Sequence, residues 1–156
     1  MSIKTVALKE EVGHLDLDPP PLVVEESASY GEVLGKMRRS NQGSAIVCRK
    51  GVIAGVFTDR DILNKYALEK PSLKTPIGKL MTAKPVTIRP SATIGKAIET
   101  MHAKRVRNLP LTDSKGRPKG LLTVGCIIRY LADHFPAEVV NLPPTLNQVI
   151  SETEGA

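Results

Sequence analysis

The sequence predicts an α+β fold made of two copies of one β-α-β-β-α unit. The first observation is an apolar, partly β-branched run at residues 52–57, which ends at Thr58 and continues directly into a segment with helical spacing. The second is that the same pattern returns at residues 120–123, again followed by an apolar helical segment. The third is that the elements upstream of both runs match in order, which indicates an internal duplication.

The upstream match is visible in the letters themselves. The segment Pro-Leu-Val-Val at residues 21–24 corresponds to Pro-Val-Thr-Ile at residues 85–88. At the same offset, the serine-led segment 27–31 corresponds to residues 91–95. A match of this length, with its elements in constant order, is typical of two copies of one supersecondary unit.

Each copy is predicted to contain the same elements. The first copy, residues 12–70, is predicted to contain an extended segment at 22–24, a helix at 30–37, two strands at 44–48 and 52–58, and a helix at 59–69. The second copy, residues 76–135, is predicted to start with a short helical turn at 77–81. An extended segment at 85–88, a helix at 93–103, two strands at 107–111 and 118–123, and a helix at 124–133 follow. The residues predicted to face inward from the helix at 93–103 are Ile94, Ala97, Ile98 and Met101.

The segments outside the copies carry weaker signals. Apolar residues among positions 1–18 indicate a short element that packs on the module or on a partner chain. Residues 70–74, with Pro71 inside and Pro76 just beyond, form the predicted linker between the copies. Residues 136–156 are predicted to be a C-terminal arm with a loose end, which docks on a partner chain through its amphipathic part.

The composition narrows the class of protein. The chain has 156 residues, 41% of them hydrophobic but only 3% aromatic, so an aliphatic core is expected. A net charge of +6 suits anionic ligands or nucleic acid, and equally an ordinary soluble protein. Cys48 and Cys126 lack metal-site spacing, which favours a reduced, cytoplasmic protein over a disulfide scaffold. No membrane span and no signal peptide are expected.

The turn that follows residues 52–57 has the chemistry of an anion site. Thr58 is placed to cap the helix that starts at Asp59, and the helix N-terminus would offer backbone N–H groups and a positive dipole end to a phosphate. Asp61, in the first turn, could accept hydrogen bonds from a ligand. The alternative interpretation is simply a capped helix with an acidic first turn.

These residues carry a resemblance to a known family. The chain resembles a tandem pair of cystathionine-β-synthase-type (CBS) domains, called a Bateman module, over about residues 12–134. The family motif G-h-h-T-x-x-D/N, in which h is a hydrophobic residue, is present in the first copy as Gly55, Thr58 and Asp61. The second copy keeps Gly120 and Thr123 but has Cys126 at the acidic position.

The resemblance implies a fold and a function. The two units would pack by their sheets around a pseudo-twofold axis and leave two clefts. The clefts would bind AMP, ADP or ATP, with S-adenosylmethionine or NAD as alternatives, and the protein would be a regulatory module rather than an enzyme. The resemblance also implies a homodimer, and because no effector domain is attached, the regulated partner is expected to be a separate protein.

An adenosine phosphate needs an apolar slot, an acceptor for the ribose diol, and donors or cations for phosphate. In the first copy, Asp61 would take the diol, and Thr58 and Arg60 the phosphate. The turn around Arg105 and Arg107 would contact phosphate in the family's cleft, or be a solvated turn. The other residues predicted to line the sites are Val23, Ala45, Thr87, Ile88, Asn108, Leu109, Pro110, Thr123 and Cys126. The alternative for the apolar ones among them is a place in the core.

The two clefts are expected to be unequal. A carboxylate offers several acceptor positions and full charge, whereas a thiol such as Cys126 is a weak donor and acceptor. About one nucleotide per chain is therefore expected, bound at the first copy's motif. Two other classes stay open: a nucleic-acid-binding protein, against which the scarcity of stacking aromatics counts, and a structural dimerisation module with empty clefts.

Overall fold

The computed structural model describes residues 3–135, with side chains from residue 5, so the predicted arm at 136–156 lies outside the described residues. The elements are α1 (Ile3–Ala7), β1 (Leu22–Glu25), α2 (Tyr30–Ser40), β2 (Ser44–Arg49), β3 (Val52–Thr58), α3 (Asp59–Leu68), β4 (Thr82–Ala83), α4 (Ile94–Lys104), β5 (Asn108–Thr112), β6 (Pro118–Thr123) and α5 (Val124–His134). Short 3₁₀ turns lie at Val12–His14 and Ile77–Lys79.

The first copy forms a four-stranded sheet in the order β1-β2-β3-β4. The pair β1 and β2 is parallel, with Leu22 opposite Ala45, and the other pairs are antiparallel. Strand β4 comes from the first part of the second copy and was not predicted. It approaches β3 at Gly55, where a Cβ atom would lie 2.8 Å from the Thr82 carbonyl oxygen and would also meet the Met81 side chain. Glycine is therefore required at position 55 for strand packing.

The second copy repeats this topology in shortened form. Strands β5 and β6 pair antiparallel, but the predicted strand at 85–88 is reduced to a single parallel bridge between Ile88 and Leu111. In that bridge, Ile88 N donates to the Pro110 carbonyl oxygen at 3.0 Å. The next rung of the parallel ladder would need an N–H on Pro110 to donate to Val86, and proline has none, so the ladder stops.

The segments that precede each copy pack on the other copy. Residues 73–78 run against residues 26–31 through four backbone hydrogen bonds, including one of 2.7 Å from Ile77 N to the Ala28 carbonyl oxygen. Residues 8–13 run against residues 90–95 in the same way, with a bond of 2.8 Å from Val12 N to the Ala92 carbonyl oxygen. This reciprocal exchange relates the two copies by a pseudo-twofold arrangement, as the sequence predicted.

Two hydrophobic cores result from the exchange. The first copy's core includes Ile77 and Leu80 from the connecting segment, packed with residues such as Phe57. The second copy's core includes Val12 and Leu15 from the N-terminal segment. Val12 and Leu15 therefore complete the second copy's core on the same chain, whereas Val6 and Leu8, nearer the start, are exposed.

The helices are buried to very different extents. Helices α2 and α4 start at capping residues Ser29 and Thr93 and bury one face each, as predicted. The prediction for Ile98 is wrong, because its side chain is 41% exposed. Helix α3 has no fully buried residue. Its Ile62 packs, partly buried, against the first copy's core, while Leu63, Tyr66 and Leu68 are exposed.

Candidate functional site

A cleft of about 310 Å³, here called the first cleft, lies where the two copies meet. One wall is formed by the end of β3 and the first turn of α3, together with Thr82 of β4. The opposite wall is formed by the turn between α4 and β5. The lining residues are Val56, Thr58, Asp59, Arg60, Asp61 and Thr82 on one side and Arg105, Val106, Arg107 and Asn108 on the other.

Thr58 and Asp61 form a capping box at the start of α3. Asp61 N donates to Thr58 Oγ1 at 3.4 Å, and Thr58 N donates to Asp61 Oδ2 at 2.9 Å. The second carboxylate oxygen, Oδ1, accepts only a long hydrogen bond of 3.4 Å, from Thr82 Oγ1. Asp61 therefore caps the helix with one oxygen and presents the other to the cleft.

The backbone N–H groups at the start of α3 are already bonded within the chain, contrary to the sequence-based expectation. Asp59 N donates to the Gly43 carbonyl oxygen at 2.9 Å, and Arg60 N donates to Asp59 Oδ1 at 2.8 Å. With Asp61 N taken by the cap, the N-terminus has little left to offer a phosphate. Cationic side chains are the remaining phosphate-binding groups at this end of the helix.

The first cleft contains three guanidinium groups, those of Arg60, Arg105 and Arg107. Among the described residues, none of the three donates a side-chain hydrogen bond or forms an ion pair. Two arginines outside the cleft are paired with carboxylates, Arg49 with Glu26 at 2.6 Å and Arg117 with Asp113 at 2.7 Å. The cleft therefore concentrates cations whose hydrogen-bond donors are free for an anion.

A second cleft of about 190 Å³ occupies the corresponding place at the start of α5. Its first-copy wall includes Gln42, Gly43 and Ser44, and its second-copy wall includes Thr123 and Cys126. Residues 17–19 and 21 also line this cleft, where Thr82 lines the first. The two clefts are thus pseudo-equivalent in position but different in chemistry.

Cys126 repeats the capping position of Asp61 with a thiol. Cys126 N donates to Thr123 Oγ1 at 3.1 Å, and Thr123 Oγ1 donates to Cys126 Sγ at 3.2 Å. The Cys126 side chain is buried. One turn further on, the Arg129 guanidinium donates to the Asp18 carbonyl oxygen at 2.7 Å and lies 3.6 Å from Cys126 Sγ. The second cleft therefore lacks a carboxylate at the ribose position and has a cation beside it.

The structure distributes the predicted site residues among the clefts and the core. The first cleft brings together Thr58, Arg60, Asp61, Arg105, Arg107 and Asn108, and the second contains Thr123 and Cys126. The predicted residues that line neither cleft are Val23, Ala45, Thr87, Ile88, Leu109 and Pro110. Four of these six are buried, namely Ala45, Ile88, Leu109 and Pro110, so the alternative assignment to the core describes them.

The clefts lie between the repeats, as the resemblance implied, but the sequence analysis grouped the site residues by copy. In the structure, Asp61 of the first copy faces Arg105 and Arg107 of the second copy. Sequence reasoning missed Val56 and Val106, which supply apolar surface, and Thr82. The valines sit beside predicted residues and could have been found by adjacency, whereas Thr82 depends on the unpredicted pairing of β4 with β3.

Residues 3–135 contain neither a metal-binding cluster nor a membrane span. No group of three or more potential metal ligands is present in this part of the chain. No helix within the described range is long and apolar enough to cross a membrane. His14 bonds to Glu10 at 2.6 Å, which raises the pKa of the imidazole, but both side chains lie outside the first cleft.

Two repeats that share two clefts define a tandem-repeat module, and comparison with known proteins identifies its family. The CBS-domain family model matches residues 12–68 and 77–133, and the chain belongs to this family. A CBS-domain protein from Agrobacterium tumefaciens superposes with a TM-score of 0.68 at 27% identity, covering 77% of this chain and 97% of the other. The structure of CBSX2 in complex with AMP superposes with a TM-score of 0.69 at 25% identity, covering 79% of this chain and 96% of the other.

Sequence comparison gives the same family. The mitochondrial CBS domain-containing protein CBSX3 of Arabidopsis thaliana is 28% identical over 117 residues, which are 71% of this chain and 56% of that protein. YhcV of Bacillus subtilis, also a CBS domain-containing protein, is 29% identical over 94 residues, with 60% of this chain and 63% of that protein covered. The chain thus spans less than two thirds of the length of these curated relatives.

Proposed function

We propose that the protein is a regulatory module that binds an adenosine-containing ligand, AMP, ADP or ATP, in the first cleft. The observation that carries the proposal is that one cleft combines the groups such a ligand needs. Asp61 Oδ1 is an acceptor for the ribose diol, three arginines are available for phosphate, and Val56 and Val106 offer apolar surface to the base. The AMP complex of CBSX2 supports the choice of ligand.

The shared cleft suggests how binding acts on the rest of the molecule. A nucleotide that contacts Asp61 on one wall and Arg105 on the other bridges the two copies. The ligand would favour the relative orientation of the copies in which both walls reach it. The regulatory output is then a change in the surface presented to a separate effector protein, with a homodimer as the functional unit. No catalytic step is part of this function.

Calorimetric titration with AMP tests the proposal. Binding is expected at about one molecule per chain, in keeping with the difference between Asp61 and Cys126. At a ligand concentration of 100 times Kd, the ligand should stabilise the fold by about 2.7 kcal/mol, which a thermal unfolding experiment detects. Absence of binding to AMP, ADP and ATP alike would contradict the proposal and favour a structural dimerisation module.

The net charge of +6 keeps nucleic acid as a second candidate to be tested. Among the described residues, the first cleft contains no aromatic side chain on which a base could stack. A fluorescence assay with labelled duplex DNA and single-stranded RNA should show at most weak binding at physiological salt. Tight binding that falls steeply with salt concentration would revive this alternative.

A further inference from the structure

An apolar groove lies beside β4, outside both clefts, and is here called the β4 groove. Its volume is about 450 Å³, and its apolar lining consists of Val52, Ile53, Ala54, Met81 and Ala83. Strand β4 forms one edge of the four-stranded sheet, and no strand within residues 3–135 pairs with its outer side. Both residues of β4 are exposed. The β4 groove is therefore apolar surface at an open sheet edge, which proteins usually cover.

The charged groups of the β4 groove are two cations, and its lining contains no carboxylate. Arg49 is already compensated, because its Nε and Nη2 donate to the two carboxylate oxygens of Glu26 at 2.6 Å and 2.7 Å. The Lys84 side chain forms neither a hydrogen bond nor an ion pair with any residue that the structure describes. An occupant that combines apolar side chains with a negative charge would therefore complement this surface.

Strand β4 itself is held by few contacts. It pairs with β3 at two positions only, Thr82 opposite Val56 and Ala83 opposite Gly55, whereas strands usually have five or six residues. The last backbone bond of the pair, from Lys84 N to the Ala54 carbonyl oxygen, is 3.2 Å long. Thr82 is also part of the wall of the first cleft. A contact on the outer side of β4 would stabilise that wall.

The C-terminal segment of the chain has the matching composition. Residues 136–156 contain three glutamates and neither lysine nor arginine, so they contribute three negative charges. Because the whole chain carries +6, residues 1–135 carry +9. Within the segment, the apolar residues Leu146, Val149 and Ile150 stand directly before Glu152 and Glu154. The order of these residues supplies apolar anchors followed by carboxylates.

The segment is also long enough to reach the groove on its own chain. The described residues end at Phe135, and Ile150 lies 15 residues further on. An extended chain spans about 3.3 Å per residue, so these residues bridge up to about 50 Å. A compact body of this size has a radius of gyration of only about 14 Å. A second chain is therefore not needed to fill the groove.

We propose that residues 146–154 dock in the β4 groove of the same chain and hold β4 against β3. The three apolar residues of the segment would cover the apolar lining, and the two glutamates would lie beside Lys84. This assignment places the predicted C-terminal arm on its own chain rather than on a partner chain. Docking would act on the first cleft, because β4 contributes Thr82 to the cleft wall.

Amide hydrogen exchange of the full chain tests the docking. In Val149→Asp combined with Ile150→Asp, the Lys84 amide should exchange about tenfold faster or more, because β4 loses its outer contact. The amides of β5 and β6 should exchange as in the wild type, which separates local release from general unfolding. Val139→Asp combined with Val140→Asp is the matched control, since it adds the same charges outside the docked residues and should leave β4 unchanged.

A charge exchange tests the contact with Lys84. Lys84→Glu should speed exchange at β4 by about threefold, the effect of an exposed ion pair, and adding Glu152→Lys and Glu154→Lys should restore slow exchange. Lys84 has a positive φ of 51°, so Lys70→Glu, at another lysine with a positive φ, 41°, is the control and should leave β4 unchanged. Fast exchange that the reversed glutamates do not restore would remove Lys84 from the contact.

Cross-linking shows which chain supplies the segment. A carbodiimide joins a lysine amine to a carboxylate in contact with it, here Lys84 to Glu152 or Glu154. In an equal mixture of unlabelled and isotope-labelled protein that has exchanged subunits, each cross-link should join residues of one isotope only. Cross-links of mixed isotopes would overturn the same-chain assignment in favour of a second copy. Exchange at β4 that is the same in the wild type and in Val149→Asp with Ile150→Asp would overturn the docking itself.

Discussion

At the scale of single residues, Asp61 combines two roles that the sequence presented as alternatives. Its Oδ2 accepts the Thr58 N–H at 2.9 Å and completes the cap of α3. Its Oδ1 faces the cleft. A substitution at Asp61 is therefore expected to affect stability as well as binding, which the sequence alone did not indicate.

Asp61→Ala should lower the free energy of unfolding by about 1 kcal/mol, the usual cost of a lost helix cap. It should also weaken AMP binding by about 1.5–3 kcal/mol, because the charge-assisted bonds to the ribose are lost. Chemical denaturation and calorimetry measure the two effects. Glu69→Ala, at an exposed residue at the other end of α3 and outside both clefts, is the control and should change neither quantity. AMP affinity unchanged in Asp61→Ala would exclude Asp61 from the site.

The two clefts differ at Cys126, which replaces the carboxylate of Asp61. Arg129 would interfere with a carboxylate introduced at position 126. A carboxylate introduced by Cys126→Asp alone would pair with the Arg129 guanidinium, which now lies 3.6 Å from the sulfur. Asn64 occupies the position in α3 that corresponds to Arg129 in α5. The combined change Cys126→Asp with Arg129→Asn therefore copies the first cleft's pair of residues.

We expect calorimetric stoichiometry with AMP to rise from about one to about two per chain only in the combined variant. The single Cys126→Asp variant should stay near one, because the ion pair with Arg129 competes with the ribose. A wild-type protein that already binds two equivalents with equal affinity would show that the ranking of the clefts is wrong.

At the scale of elements, the hairpin between β5 and β6 is held by one carboxylate. Asp113 Oδ1 accepts the Lys115 and Arg117 N–H groups at 2.9 Å each, and Oδ2 accepts from Arg117 Nε at 2.7 Å. The backbone hydrogen bond from Arg117, followed by its side-chain bond, lowers the pKa of Asp113 to about 2. The turn therefore depends on the ionised form.

The sign of the pH dependence follows from the lowered pKa. The carboxylate stabilises the folded state fully above its ordinary pKa of 3.8, and this contribution is lost as the pH falls towards 2. An NMR titration of the Asp113 side chain should give a midpoint near pH 2. Asp113→Asn should reduce the dependence of stability on pH between 4 and 2, with Asp133→Asn as the exposed control. A midpoint near 3.8 would refute the argument.

At the scale of the whole molecule, α3 and the segment after it present a large apolar surface to solvent. Leu63 is 72% exposed, Tyr66 62%, Leu68 83% and Leu73 61%. The four lie close in sequence, and no residue of α3 is fully buried in the chain's own cores. Exposed apolar groups of this kind are typical of protein interfaces. A second copy of the chain is the partner that the predicted homodimer requires.

Leu63→Glu combined with Tyr66→Glu should shift the protein from dimer to monomer, because the charges would be buried without partners in the interface. Sedimentation velocity at micromolar concentration measures the change. Val52→Glu, at a residue 43% exposed on the sheet, controls for loss of apolar surface in general and should leave the dimer intact. A monomeric wild type would contradict the predicted dimer.

The duplication, the order of the elements and the residues of the first motif are all predictable without a structure. These are local properties: apolar periodicity, capping residues and a repeated motif depend on neighbours in the chain. Thr58 at the cap of α3 and the family could therefore be predicted from the amino-acid order alone.

The contacts between residues that are distant in the sequence are visible only in the tertiary structure. Residues 73–78 cross to the first copy and residues 8–13 to the second, so each core is completed from outside its own repeat. The same crossing of copies places Asp61 opposite Arg105 and Arg107, while Ala45, Leu109 and Pro110 go to the interior. Both outcomes follow from long-range packing of buried apolar surface, which has no counterpart in the local pattern of the sequence.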